Sequence, residues 1–469
     1  MDGQGHWGMP AGEPLDEASV QGFAAELRGE LLRPGEEGYD GARAVFNGMI
    51  DRRPAMIVRC AGTSDVVQGV LFARERGLLL AVRGGGHSVA GRGVCDGGLM
   101  LDLSPMKGVR VDLATRTVQA QAGLTLGDLD LETQAFGLAT PLGVVSLTGI
   151  AGLTLGGGLG WLNGKHGLAC DNVISADVVT ADGELLRASA EENEDLYWGI
   201  RGGGGNFGVV TSFEYRLHPV GPVLAGGLRY RAADARDALR FYHEFVTACP
   251  DELSTSSSLG KTPEGDVVAG VTVCYCGDPE EGERVLRPLR EWGSPVEDTI
   301  GIMPFRTLQS APDPSFPFGR QHYWKSSNLR DLSDEAVATM VRFAEEMPSA
   351  LSGIGLQQMH GAACRVDPAA TAFPHRDPHY DFLILSQWTD PTAGESNIRW
   401  TRDLFEAMQP FTERSVYVNN LGAEDEDRVG EAYGEGYDGL VALKGKYDPT
   451  NLFRLNANIA PQTGSGVTG

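Results

Sequence analysis

The hexapeptide Arg83-Gly84-Gly85-Gly86-His87-Ser88 holds the residues best placed to do chemistry in this chain. It follows the apolar run Leu78–Val82, which reads as a buried strand entering a turn. Three glycines strip the backbone of side chains, so successive N–H groups can form a concavity that suits a phosphate or pyrophosphate. His87 sits directly behind that cradle. An imidazole at the end of a phosphate loop suggests a nucleotide cofactor tethered through the ring. Taken alone, the hexapeptide is better read as a tight turn with a surface histidine. The segments that accompany it reverse that reading.

Other candidate motifs carry less. Gly203-Gly204-Gly205-Asn206-Phe207-Gly208 fits G-x-G-x-x-G, but a helical segment precedes it and a strand follows. A dinucleotide fingerprint needs the opposite order, so a Rossmann site is rejected. There is no Gly-Lys-Ser/Thr phosphate loop and no Gly-x-Ser-x-Gly elbow. His375 and His379 stand four apart, but Pro374 and Pro378 bracket them and break the helix a zinc pair would need. They read as surface or pocket histidines, and no metal is expected. Gln358 and His360, two apart in a segment that could be a strand, would then share a face. They would line a substrate pocket, or His360 would be a hydrogen-bonded, half-buried ring; both readings stay open.

The elements that position these residues fall into two characters. Up to about residue 220 the chain mixes short strands, helices and glycine clusters. Thr63 or Ser64 caps a helix carrying Val67, Val70 and Leu71 and closed by Gly77. Thr125 with Asp128 starts a short helix. The stretch 133–164 is too rich in glycine for a membrane span and reads as backbone packed around a ligand. Asp182-Gly183 marks a hairpin, and Val209–Leu217 alternates as a strand. From about Val220 the glycine clusters vanish and helices alternate with strands, among them a helix from Ser333 and strands at Val267–Tyr275 and Asp381–Trp388. Residues 221–410 therefore read as a second, α+β domain. Tyr417–Asn420 and Tyr447–Pro461 look like a return to the first.

Composition bounds the function. The 469 residues carry 39 basic and 63 acidic side chains, a net charge of -24. That argues against nucleic acid or an anionic membrane as partner. The N-terminus shows no basic region followed by an apolar segment, so no signal peptide is expected. Seven cysteines without a Cys-x-x-Cys fit a reduced, cytoplasmic setting.

Five segments in order resemble one family: Arg83–Ser88, Gly149–Gly160, His166–Val173, Gly202–Gly208 and Tyr447–Ile459. The chain resembles the FAD-linked oxidases of the vanillyl-alcohol oxidase fold, in the berberine bridge enzyme-like branch, over residues 40–461. The resemblance implies an α+β fold: a two-part PCMH-type FAD-binding domain (1–220 and 411–461), an α+β substrate domain (221–410) whose antiparallel sheet roofs the flavin, and a flexible tail at 462–469. It implies FAD bonded through His87, with Arg83, Gly84, Gly85, Gly86 and Ser88 around the pyrophosphate. Pro141, Gly143, Thr148, Gly149, Gly152, Leu153, Gly156, Gly157, Gly158, Gly160 and Asn163 would wrap the cofactor. Gly208 and Val209 would meet the adenine side, and Asn456 and Asn458 the flavin ring.

Two departures from the family pattern matter. Many relatives tether the flavin a second time through a Cys four residues before the glycine matching Gly149; Val145 stands there, so a single link is expected. Many also end a Tyr-x-Asn-Tyr motif in a tyrosine base, whereas Tyr417-Val418-Asn419-Asn420 ends in Asn, which cannot be a base. His360 is then the candidate base, with Gln358, Tyr417 and Asn420 in the pocket. The expected activity is hydride removal from a small-molecule alcohol or amine, a secondary metabolite or alkaloid-like compound, to the flavin, with molecular oxygen as the acceptor that reoxidises it. Ile150, where bulk can hinder oxygen in some relatives, keeps a dehydrogenase with another acceptor open. An FAD-dependent reductase of the same fold and a flavin-binding protein without catalysis are the other readings.

Overall fold

The structure is a computed structural model that describes residues 16–462. Residues 1–15 and the expected tail from 463 onward lie outside the described residues. The architecture is α+β, built on three sheets of four or more strands.

The first sheet carries the His87 turn. Its order is Glu30–Leu32, Met56–Arg59, Leu99–Asp102, Leu80–Arg83, with the last three parallel. Val58, Leu80 and Leu101 are buried among helix Thr63–Glu75 and its neighbours, as parallel strands covered on both faces require. The helix begins one residue earlier than a Thr63 cap would have it, with Gly62 as N-cap and no side-chain cap bond. The second sheet is antiparallel, in the order Val109–Asp112, Thr117–Gln121, Val209–Arg216, Val173–Val179, Leu185–Ser189. Its last hairpin turns at Gly183, where φ is +78°. The stretch read as packed backbone contains two short helices, Ile150–Leu155 and Asn163–His166, set in glycine turns.

The third sheet is the roof. It is antiparallel and runs Glu297–Asp298, Val223–Arg231, Val267–Tyr275, Leu253–Lys261, Gly353–Met359, His379–Trp388, Gln321–Leu329, with Gly301–Met303 also on Val223–Arg231. Strand alternation sorts its side chains. Ile354, Leu356, Phe382, Ile384 and Val271 share a core with helices Ala235–Val246, Pro279–Glu291, Asp334–Glu345 and Gly394–Met408. Ser333 caps the third of these through Ala336 N. The opposite face bears Asp381, Leu383, Gln357 and Gly355, and Asp381 on it bonds to Asn420 of the C-terminal segment.

The roof is stitched down at one end. The segment 311–320 crosses to the first part of the chain. Asp313 accepts bonds from Ser146 N and Oγ; Gly319 N donates to Phe46 O (3.0 Å); Arg320 O accepts from Gly48 N (2.7 Å). Asn47 adds two bonds to the backbone of His322.

Candidate active site

Two of the expected cofactor segments are pressed together. A Cβ on Gly85 would lie 2.4 Å from Gly149 N, and one on Gly149 2.3 Å from Gly85 N. These glycines are required by each other, backbone against backbone. Gly160 likewise abuts Leu142 O, and Gly156 abuts Asn419. Gly152 differs, since a Cβ there would meet nothing within 4 Å. Its bareness leaves room for something outside the chain.

His87 stacks on Phe46 (centroids 4.0 Å apart, 16° between planes), and Phe46 stacks in turn on His322 of the roof (4.2 Å, 24°). Burial pushes the His87 pKa down to about 4, so its imidazole is neutral at pH 7. Its Nε2 is buried with no hydrogen-bond partner, and Asn458 Oδ1 is orphaned in the same way. Buried orphans of this kind fit a site built for a bound group. Asn456 donates to Gly205 O (2.9 Å), holding the C-terminal segment on the Gly202–Gly208 turn. Arg83 reaches Ala42 O and Asp102, and its guanidinium lies against Gly86 of the turn. Gly143 packs on Leu153, and Gly208 on Val178 and Val179 at the start of the strand from Val209. Thr148 O takes the N–H of Leu126, and Ser88 O that of Gly91. Pro141 is buried.

Asn163 has a role the sequence did not suggest. Its amide donates to Gln358 O (3.0 Å) and accepts from Ser254 Oγ (2.8 Å), so it joins the roof to the first part of the chain.

The proposed pocket residues divide. Tyr417 Oη accepts from Gly158 N (3.0 Å) and Asn419 Nδ2 (2.8 Å), and burial pushes its pKa up to about 12. Asn420 Nδ2 donates to Asp381 Oδ2 (2.7 Å), whose other oxygen accepts from Ser326 Oγ (3.0 Å). Burial pushes the Asp381 pKa up to about 6, against these two bonds. Gln358 and His360 stand elsewhere. Gln358 turns to the helix side, donating to Val246 O (3.1 Å) and accepting from Thr255 Oγ1 (2.8 Å). His360 Nε2 meets Leu253 O (2.8 Å), and its Nδ1 lies 3.8 Å from Cys249 Sγ. Both ring nitrogens serve packing, and neither residue meets Tyr417 or Asn420. The cross-strand partner of Asp381 is Gln357, one residue from the expected Gln358, and that single step reverses the face.

Asp381 escaped the sequence reading because it opens the expected strand Asp381–Trp388. The strand in fact runs His379–Trp388, which makes Asp381 an interior acid in an apolar run. An aspartate inside such a run is the signal that could have found it.

No helix among the described residues is long and apolar enough to cross a membrane. No cluster of three metal-ligating side chains occurs among them, and all seven cysteines are free.

The family model for an FAD binding domain matches residues 54–189, and the model described as berberine and berberine like matches 416–460. An FAD-linked oxidoreductase of Dictyostelium discoideum is 34% identical over 447 residues, covering 94% of this chain and 97% of the relative. The (R)-6-hydroxynicotine oxidase of Paenarthrobacter nicotinovorans is 31% identical, covering 93% and 97%. The crystal structure of 6-hydroxy-D-nicotine oxidase from Arthrobacter nicotinovorans superposes with a TM-score of 0.86 at 30% identity, over 93% of this chain and 98% of that one. With its FAD-binding motifs in place and relatives matched nearly end to end, the chain is an FAD-dependent oxidoreductase and belongs to the berberine bridge enzyme-like family.

Proposed function

We propose that this enzyme is an oxidase that removes a hydride from a carbon bearing a hydroxyl or amino group, with Asp381 as the base. The observation that carries this reading is the buried carboxylate of Asp381, held by Asn420 and Ser326 on the face of the roof that meets the FAD-binding part. The bound flavin supplies the two-electron acceptor and passes those electrons on.

The chain's own residues do the rest. At pH 7 Asp381 is largely ionised, and it takes the hydroxyl or ammonium proton as the C–H bond breaks. Asn420 orients the carboxylate and cannot itself take a proton. Tyr417 fixes the turn at Gly158. His87, neutral and with an unpartnered nitrogen, is the single point of covalent attachment, because buried Val145 offers no nucleophile. Molecular oxygen is the acceptor. The side chain of Ile150 is wholly buried in the core, which removes it as an obstruction. We assign residues 1–220 and 411–461 to the FAD-binding part and 221–410 to the substrate domain. The free cysteines support a cytoplasmic setting.

The test is Asp381→Asn. Turnover is expected to fall by about 10²–10⁴-fold, with flavin content unchanged and still in the pellet after acid precipitation. Turnover retained in Asp381→Asn, or lost in His360→Ala, overturns the assignment of the base. Yellow colour released to the supernatant overturns the tether. One peroxide formed per substrate oxidised supports oxygen; turnover only with an added dye excludes it.

A further inference from the structure

The flavin-side face of the roof has two unlike halves. Register places its residues in rows across the strands. One row reads Ser326, Leu383, Gly355, Ser258, Gly270; the next reads Trp324, Leu385, Gly353, Gly260, Val268. The half beside Asp381 carries leucines and a tryptophan. The half beyond it carries four glycines and a serine over three neighbouring strands, with Val268 closing the second row.

Nothing in the protein demands Gly353, Gly355 or Gly260. A Cβ on Gly353 would meet only Leu259 O (3.6 Å), on Gly355 only Leu383 O (3.8 Å), and on Gly260 only Ser352 O (3.9 Å). A Cβ on Gly270 would meet Ser258 Oγ at 3.0 Å and otherwise the backbone of the same sheet. None of the four has a positive φ. Glycine inside a strand weakens it, and its recurrent reason is close approach of a ligand or another backbone. The bare patch spans roughly 10 Å across the strands and roughly 7 Å along them, from the usual strand spacing and rise.

A second observation points to a ligand. His322 is 1% exposed and neither ring nitrogen has a partner; Trp324 Nε1, two residues along on the same face, is buried and unpartnered as well. Indole nitrogen is donor only, and a neutral imidazole always carries one N–H. Two buried donors therefore lack acceptors at the apolar edge of the patch, where burial makes an unmade bond costly. Burial also holds His322 neutral, with its pKa down to about 3.

We propose that the patch is a platform for a flat, fused multi-ring substrate bearing ketone or phenol oxygens, laid across Gly353, Gly355 and Gly260 with an oxygen toward the Trp324 and His322 donors. This rests on the reading of Asp381 as the reacting end of the site and names the substrate class. Flatness of the roof selects ring systems over branched or puckered ones, and the orphan donors select those with acceptor oxygens.

The experiment uses the full-chain holoenzyme and equilibrium dialysis, so binding is read without turnover. The probes are 1,8-dihydroxyanthraquinone, phenol and xylobiose. The anthraquinone is expected to bind at least about tenfold more tightly than phenol. Gly353→Val and Gly355→Val are each expected to weaken the anthraquinone about tenfold or more, to leave phenol unchanged, and to keep the melting temperature at or above wild type. Trp324→Phe, which keeps the ring face and removes the donor, is expected to weaken it about fivefold. Where valine prevents folding, Gly353→Ala and Gly355→Ala answer the same question with a smaller step. The proposal is overturned by an anthraquinone that does not bind, by undiminished binding in the glycine variants, by alanine variants that melt well below wild type, or by xylobiose binding more tightly than the anthraquinone. An enzyme whose platform binds as expected but whose Asp381→Asn variant turns over normally would sink the base and leave the platform standing.

Discussion

The glycines at Gly85 and Gly149 and those at Gly353 and Gly355 are the same residue for opposite reasons. In the first pair an added Cβ would collide with backbone at 2.3–2.4 Å. In the second it would find only ordinary contact with its own sheet, at 3.6–3.8 Å. One region is glycine because the fold leaves no room, the other because the fold leaves room that it does not use. The first reason lives in packing; the second points outward, to what the molecule must accommodate. Stability and function should therefore separate cleanly between the two regions.

The largest effect is expected at Gly149→Ala. The backbones of 85 and 149 must part, at a cost of about 3 kcal/mol or more, and the purified protein should melt early and carry little flavin, read by its visible absorbance. A variant that melts and colours like wild type would erase the contrast.

Asp381→Asn comes next and has the opposite sign for stability. The folded pKa of about 6 stands above the ordinary 3.8, so the ionised group destabilises the fold. That penalty is absent below about pH 4, grows as pH rises toward 6, and is complete above it, on the order of 3 kcal/mol. Thermal melts should show the variant more stable than wild type at pH 8, with the gap closing by pH 4. A gap independent of pH would assign it to packing rather than ionisation.

Asn420→Ala should act through Asp381. Removing a bond that lowers its pKa moves the acidic limb of kcat/KM upward by about one pH unit, while the alkaline side stays put. An unmoved limb would mean that Asn420 only fills space. The smallest effect belongs to Gly353→Ala. Loss of chain entropy in the unfolded state should stabilise the protein by about 0.5 kcal/mol, measurable as a shift of the denaturant midpoint. A loss of stability there would make the two glycine regions alike after all.

The signals readable in the sequence are local, and those it hides share a common cause. The His87 turn, the Gly149–Gly160 segment and the C-terminal Asn456–Asn458 segment are local signals; Gly85 packs on Gly149, and Asn456 bonds to Gly205 O. The hairpin at Asp182-Gly183 and the Ser333 cap are local as well, and both stand. Gln358 and His360 fail because the face of a strand is a matter of register, set by neighbours about a hundred residues away at Ser256 and about twenty away at Asp381. The role of Asn163 in joining the roof was hidden for a similar reason: its hydrogen-bond partners, Gln358 O and Ser254 Oγ, are remote in the chain. Asp381 was in view as the first letter of a strand, and only the two residues before it, His379 and Tyr380, turn it from a boundary into an interior charge.

The crossing segment 311–320 has a consequence for how molecules enter. With Asp313 fastened at Ser146 and Gly319 and Arg320 fastened at Phe46 and Gly48, the roof is a lintel rather than a jaw. Whatever binds beneath it must therefore do so without that edge lifting, since the hinge a jaw would need is pinned by these bonds.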